Sequence, residues 1–125
     1  MTSDITAHRI FKSVNFMQAA DSDGEPIRSV ITQSVEVTVV AWHVKPGQCI
    51  AAHVHPLGQD TWTILSGCGE YQYNAAGASM PITAGDVVVA HTGEVHGVRN
   101  TGLEPLAFIS VVAPAEAGYE LLLET

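Results

Sequence analysis

The chain reads as an all-β protein, a sandwich or barrel of short strands, and three observations carry that reading. Runs of β-branched and apolar residues of strand length recur along its 125 residues. Clusters rich in glycine, proline, asparagine and serine separate these runs at short intervals. Sustained amphipathic helical periodicity is nearly absent. Closing such strands into a barrel also removes exposed sheet edges.

Taken in order, residues 10–17 read as an N-terminal strand and the polar segment 21–26 as a loop of turn-forming residues. Residues 30–44 form the longest run, in which Val35, Val37 and Val39 alternate with Glu36 and Thr38 as in a half-buried strand. The alternation slips at Val39, Val40 and Ala41 before Trp42 and Val44 resume it on the other parity. That slip predicts a bulge, or a strand bending between two sheets. Further strands are expected at 61–65, 70–74, 86–90, 97–100 and 106–112, with turns at 45–47, 56–58, 66–67, 74–79, 84–85 and 101–102. The tail carries Tyr119, Leu121, Leu122 and Leu123, an apolar group that needs covering by the barrel or by a partner. With no internal repeat or low-complexity linker, one domain over residues 1–125 is expected.

Composition narrows the setting. The chain is 46% hydrophobic and 14% charged, enough apolar material for a core. Thirteen acidic residues against five basic ones give a formal charge of −8, which repels phosphate backbones and anionic headgroups. Nucleic acid and membrane partners are therefore not expected, and with no leader-like N-terminus or membrane-length apolar run the expected location is cytoplasmic. Cys49 and Cys68 are too few for a disulfide framework and are expected to be buried, reduced thiols.

Chemistry concentrates on three histidines. His53 and His55 are two residues apart, so on a strand their imidazoles point to one face, and His96 follows in a second glycine-punctuated strand pattern. Imidazole nitrogens suit iron, nickel, copper and zinc, and an oxygen ligand keeps manganese available, so ligand type does not fix the ion. Protein ligands on an ion that accepts five or six leave positions for water or a small ligand. His8 and His43 read as hydrogen-bonded surface or core residues. His91 and Glu94 read as a solvated loop, with an acid–base pair beside the ion as the alternative. Trp62, Tyr71, Tyr73 and Phe108 read as barrel packing.

The spacing of these residues resembles the two motifs of the cupins. In the first, Gly47 precedes His53 and His55, an acid or glutamine follows, and Gly67 closes the segment 47–67. In the second, Gly85, Gly93, His96 and Asn100 fall at the family's positions within 85–100, with His91 where the family usually has proline. The resemblance implies an all-β cupin double-stranded β-helix, a jelly-roll-like barrel, with one divalent metal (Fe, Mn, Ni or Zn) held by His53, His55, Gln59 and His96. Two counts compete for the third ligand: four residues on from His55 is Gln59, and seven back from Gly67 is Asp60. Gln59 is the expectation, because its turn looks like cupins in which glutamine replaces glutamate, and Asp60 would then face the other way, holding the turn or a ligand histidine. The resemblance also implies a homodimer and a small-molecule substrate or ligand. It leaves two functions open. One is a metalloenzyme that oxygenates, isomerises or lyses a carboxylate, keto or sugar-acid-like molecule; the other is a non-catalytic binding or sensing protein with a structural or empty metal site.

Overall fold

A computed structural model describes residues 9–17 and 24–122. Its ten strands are β1 (Ile27–Gln33), β2 (Thr38–Val44), β3 (Cys49–Val54), β4 (Gln59–Ser66), β5 (Cys68–Gln72), β6 (Ser79–Thr83), β7 (Val87–Ala90), β8 (His96–Arg99), β9 (Leu106–Ala113) and β10 (Glu120–Leu121). They form two five-stranded antiparallel sheets, ordered β1-β2-β9-β4-β7 and β10-β3-β8-β5-β6. The all-β, jelly-roll-like expectation holds.

The core lies between the sheets, because alternate residues of each strand turn inward. Val44 from β2, Trp62 and Ile64 from β4, and Leu106 and Phe108 from β9 meet Ile50, Tyr71, Ile82 and Val98 from the other sheet. Trp62 packs on Phe108 with ring centroids 4.4 Å apart, and this apolar floor closes one end of the barrel interior below a polar cluster.

Local chemistry overrides four of the sequence expectations. The N-terminal strand at 10–17 is instead a 3-10 turn over Ser13–Phe16, and of the expected 21–26 loop only 24–26 falls within the described residues. His8 and Leu123 lie outside them. The run 30–44 is a hairpin. Ser34 N–H donates to the Val37 carbonyl, the Glu36 N–H donates to Ser34 Oγ, and Val35 stands 87% exposed at the tip. Alternation continued smoothly through that turn, which hid it. The predicted irregularity exists, but it sits on β1: the register shifts between Val30 and Thr32, opposite Val39 and Val40. Finally, Cys49 and Cys68 are free thiols but exposed, since each begins its strand on the outward parity.

Gly67, between β4 and β5, holds φ at +82°, and a Cβ there would collide with the Pro105 carbonyl oxygen. This position needs glycine twice over, for its backbone region and for the close approach. Among the described residues, no helix is long and apolar enough to cross a membrane.

Candidate metal centre

Backbone pairing brings the histidines together. His53 on β3 sits directly across from His96 on β8, and their ring centroids are 4.5 Å apart. His55 lies just past the end of β3 and turns to the same interior, its ring 5.0 Å from His53 and 5.6 Å from His96. All three are buried, His96 completely.

The fourth member comes from the facing sheet. β4 begins with Gln59 exposed and Asp60 buried, and Trp62 and Ile64 continue the inward parity of Asp60. The structure therefore places Asp60, not the expected Gln59, against the histidines. Adjacent strand residues point to opposite faces, so only one of the two can enter the barrel. The extra residue between His55 and Gly67 assigns that parity to Asp60, the residue that counting back from Gly67 identifies. Donor atoms of His53, His55, Asp60 and His96 all lie within 4.8 Å of one another.

Hydrogen bonds commit the outer atoms of this cluster and leave the inner ones facing each other. His53 Nδ1 donates to the Ala51 carbonyl and His55 Nδ1 to the Gly118 carbonyl, both at 2.7 Å. The Tyr71 hydroxyl is hydrogen-bonded to His96 Nδ1 at 3.1 Å. Asp60 is anchored from behind: Ser110 Oγ donates to Oδ1 at 2.6 Å and the Trp62 indole N–H donates to Oδ2 at 3.0 Å. The Nε2 atoms of His55 and His96 each stand 3.3 Å from Asp60 Oδ2, yet both are buried without a well-aligned hydrogen bond.

That last geometry tests whether a metal fits. Because the Gly118 carbonyl can only accept, neutral His55 carries its proton on Nδ1 and Nε2 presents a lone pair, and a lone pair crowded against a carboxylate oxygen needs a positive charge beside it. Two ligands bound at about 2.1 Å to one ion stand roughly 3.0 to 3.4 Å apart for angles between a right angle and a tetrahedral one. The observed spacing agrees, and the donor set of three imidazoles and a carboxylate suits a borderline divalent cation. The buried donors thus fit such an ion.

Electrostatics agree with a preformed anionic corner. Burial pushes the Asp60 carboxyl up, but His55, His96 and the Ser110 hydroxyl together outweigh it and hold it well below the usual carboxylate range. Burial lowers His53 to about 4, so this imidazole is neutral at neutral pH. For His55 burial also lowers the value, but Asp60 and the Gly118 carbonyl reverse the balance and raise it. Tyr71 is pushed up by burial, with the negative charges of Asp60 and Glu94 adding to the effect.

The cluster opens into a cavity of about 540 Å³ between the sheets. Its walls are mainly apolar, from Val40, Trp42, Ile50 and Val112, and the Tyr119 ring leans over His53 at 4.7 Å. β10, which follows Tyr119, pairs with β3 so that Leu121 faces His53 in register. The C-terminal segment therefore runs beside the site, but Tyr119 and Leu121 stay more than half exposed, so the barrel does not cover the tail's apolar group.

Several participants were not legible as such in the sequence. Tyr71 and Trp62 do pack in the barrel interior, but each also carries a polar atom into the cluster. Ser110 and Gly118 belong to no motif. Only strand alternation, which places Ser110 inward beside Phe108 on β9, offers a signal for the serine. His43 is buried on β2 and is not part of the cluster, and its Nδ1 has no hydrogen-bond partner among the described residues. His91 and Glu94 form an exposed pair at 2.8 Å outside the cavity walls, in line with the solvated-loop reading.

Comparison with known proteins places this geometry in context. The sequence profile of the Cupin domain family matches residues 40–112. A solved structure from Klebsiella pneumoniae, described as an uncharacterized conserved protein with a double-stranded beta-helix domain, is 48% identical. It has a TM-score of 0.86, with 93% of this chain and 98% of that one covered. An oxalate-binding protein of Thermotoga maritima is 37% identical over 67 residues, a match that spans about half the length of each chain (54%). A solved oxalate oxidase shares the fold at 13% identity, with a TM-score of 0.75 over 90% of this chain and 63% of that one.

Proposed function

The chain belongs to the cupin family, and from that premise we propose that His53, His55, Asp60 and His96 hold one divalent metal ion at which a small oxygen-rich molecule is bound and transformed. The observation that carries this reading is the convergence of buried donor atoms whose outer hydrogen bonds are already made, with His55 Nε2 and His96 Nε2 left unpartnered beside Asp60 Oδ2. When bound, the ion supplies Lewis acidity and open coordination positions toward the cavity.

The residues define what the site accepts. With three neutral imidazoles and one carboxylate, a divalent ion retains one unit of positive charge, which favours an anionic oxygen donor. A cavity of about 540 Å³ is small-molecule sized. Its apolar walls exclude water and strengthen every polar contact made inside. The expected substrates are carboxylate, keto or sugar-acid-like molecules, and the expected reactions are oxygenation, isomerisation or lysis.

A second reading, a protein that binds its ligand without turnover, is supported by the similarity to the oxalate-binding protein of Thermotoga maritima. It also draws support from the cavity walls, where, among the described residues, Arg28 and Tyr119 are the titratable side chains besides the cluster, with no further carboxylate or imidazole lining the cavity as a proton carrier. A screen of small acids with metal-loaded protein separates the two. Metal-dependent product formation identifies the enzyme, whereas thermal stabilisation without product identifies the binding protein.

Dimerisation belongs to the same reading. On the outer face of the first sheet, Val89, Thr61 and Val111 form one cross-strand row and Val87, Thr63 and Ile109 the next. Val87, Val89 and Val111 are exposed, and among the described residues β7 is the edge strand of its sheet. A second copy laid on this face would cover both.

A further inference from the structure

We propose that Arg28 is the specificity-determining residue of the cavity, pairing with the second carboxylate of a small dicarboxylate whose first carboxylate sits at the metal. This rests on the metal reading above and extends it to the class of ligand.

Arg28 is the one cationic side chain among the residues that line the cavity, in a chain with only five lysines and arginines. It lies on β1 opposite Trp42, so the first sheet presents it at the wall that faces the His53–His55 side. Trp42 stands opposite it on β2, and Val40, two residues along the same strand, continues the apolar wall of the cavity. Arg28 is exposed at the cavity rim, and a guanidinium presents parallel N–H donors that match a carboxylate in a bidentate fork.

Charge arithmetic selects the ligand. A divalent ion less the Asp60 carboxylate contributes one positive charge, and Arg28 contributes a second at another point of the same cavity. A monoanion satisfies one of the two. A dicarboxylate satisfies both, and the apolar wall between them disfavours polar groups along its backbone.

The test uses full-length wild type, R28Q and R28K, each loaded with Mn(II), with metal content read by elemental analysis and affinity by titration calorimetry against oxalate, malonate and acetate. Wild type is expected to bind a dicarboxylate more tightly than acetate. R28Q should keep its metal and its acetate affinity within about twofold, yet lose about tenfold or more for the dicarboxylate. R28K, which keeps the charge without the fork, should fall between. Equal dicarboxylate affinity in wild type and R28Q, or no preference over acetate in wild type, overturns the role of Arg28 while leaving the metal site intact. Absence of metal in wild type overturns both.

Discussion

Asp60 and Gln59 are neighbours in sequence and opposites in space, and the assignment of the carboxylate to the cluster rests on that parity. D60N should reduce metal affinity by well over tenfold, because it removes the site's negative charge and swaps an anionic ligand for an amide. Q59A should change it by less than about twofold. Competition with a chromogenic chelator measures both, and a larger effect of Q59A would reverse the assignment. Tyr71 acts one layer out. Its hydroxyl is bonded to His96 Nδ1 inside the core, and Y71F is expected to weaken metal binding about tenfold.

The same residues set a pH dependence. Unfolded histidine takes up its proton near about 6.5, whereas buried His53 resists protonation until about 4. Protons therefore favour the unfolded chain between those values, and the His53 contribution to stability falls as pH drops through this window. His55, raised above its ordinary value, works in the opposite sense: its contribution is present below about 6.5 and lost as pH rises through its folded value. Asp60, held low, contributes at every pH above the carboxylate range and weakens only in strong acid. Since imidazole must be deprotonated to bind a cation, metal should be retained at pH 7 and lost as pH falls below about 6. Dialysis across a pH series followed by elemental analysis checks this, and full retention at pH 4 would contradict it.

At the level of elements, β3, β8 and β4 do the positioning, and they differ in how plainly the sequence announced them. β4 and β9 were visible because β-branched runs there are bounded by turn residues, and the short β8, with Val98 alone β-branched, from its place in the second glycine-punctuated pattern. β3 contains Ala51 and Ala52 between its ends, and β6 carries Pro81 on a sheet edge, so neither shows the usual strand composition. His53 and His55 were legible from their spacing, since a strand's two-residue period places them together, and His96 from its place in the second glycine-punctuated pattern. The fourth donor was not: choosing between Gln59 and Asp60 depends on where β4 begins, and that is fixed by pairing with β7 and β9 rather than by local composition. Glycine 67 ends β4 at a fixed point. G67A forces a positive φ and a backbone collision on an L-residue and should cost about 2 kcal/mol or more in chemical denaturation. Metal content per folded chain should remain unchanged, because the substitution lies outside the cluster.

For the whole molecule, two packed sheets supply a dry interior, and the polar cluster sits where that interior opens. An acidic surface and a positively charged centre are compatible because the barrel wall separates them: in the proposed account a bound ion and Arg28 would govern what enters, whatever the bulk charge outside. The outer valine face carries a separate expectation. V87K combined with V89K should convert a dimer to monomer in sedimentation or light scattering without altering metal content, and a wild-type monomer at high concentration would refute the dimer. The central claim is the metal centre itself, and its most direct measurement is elemental analysis of protein purified without chelator or affinity metal, then reloaded with one equivalent of Mn(II), Fe(II), Ni(II) or Zn(II), beside H53A and H96A. One tightly held ion per wild-type chain, lost in both folded variants, is the predicted result. A wild-type chain that holds no ion after reloading, or variants that load as well as wild type, would contradict the account.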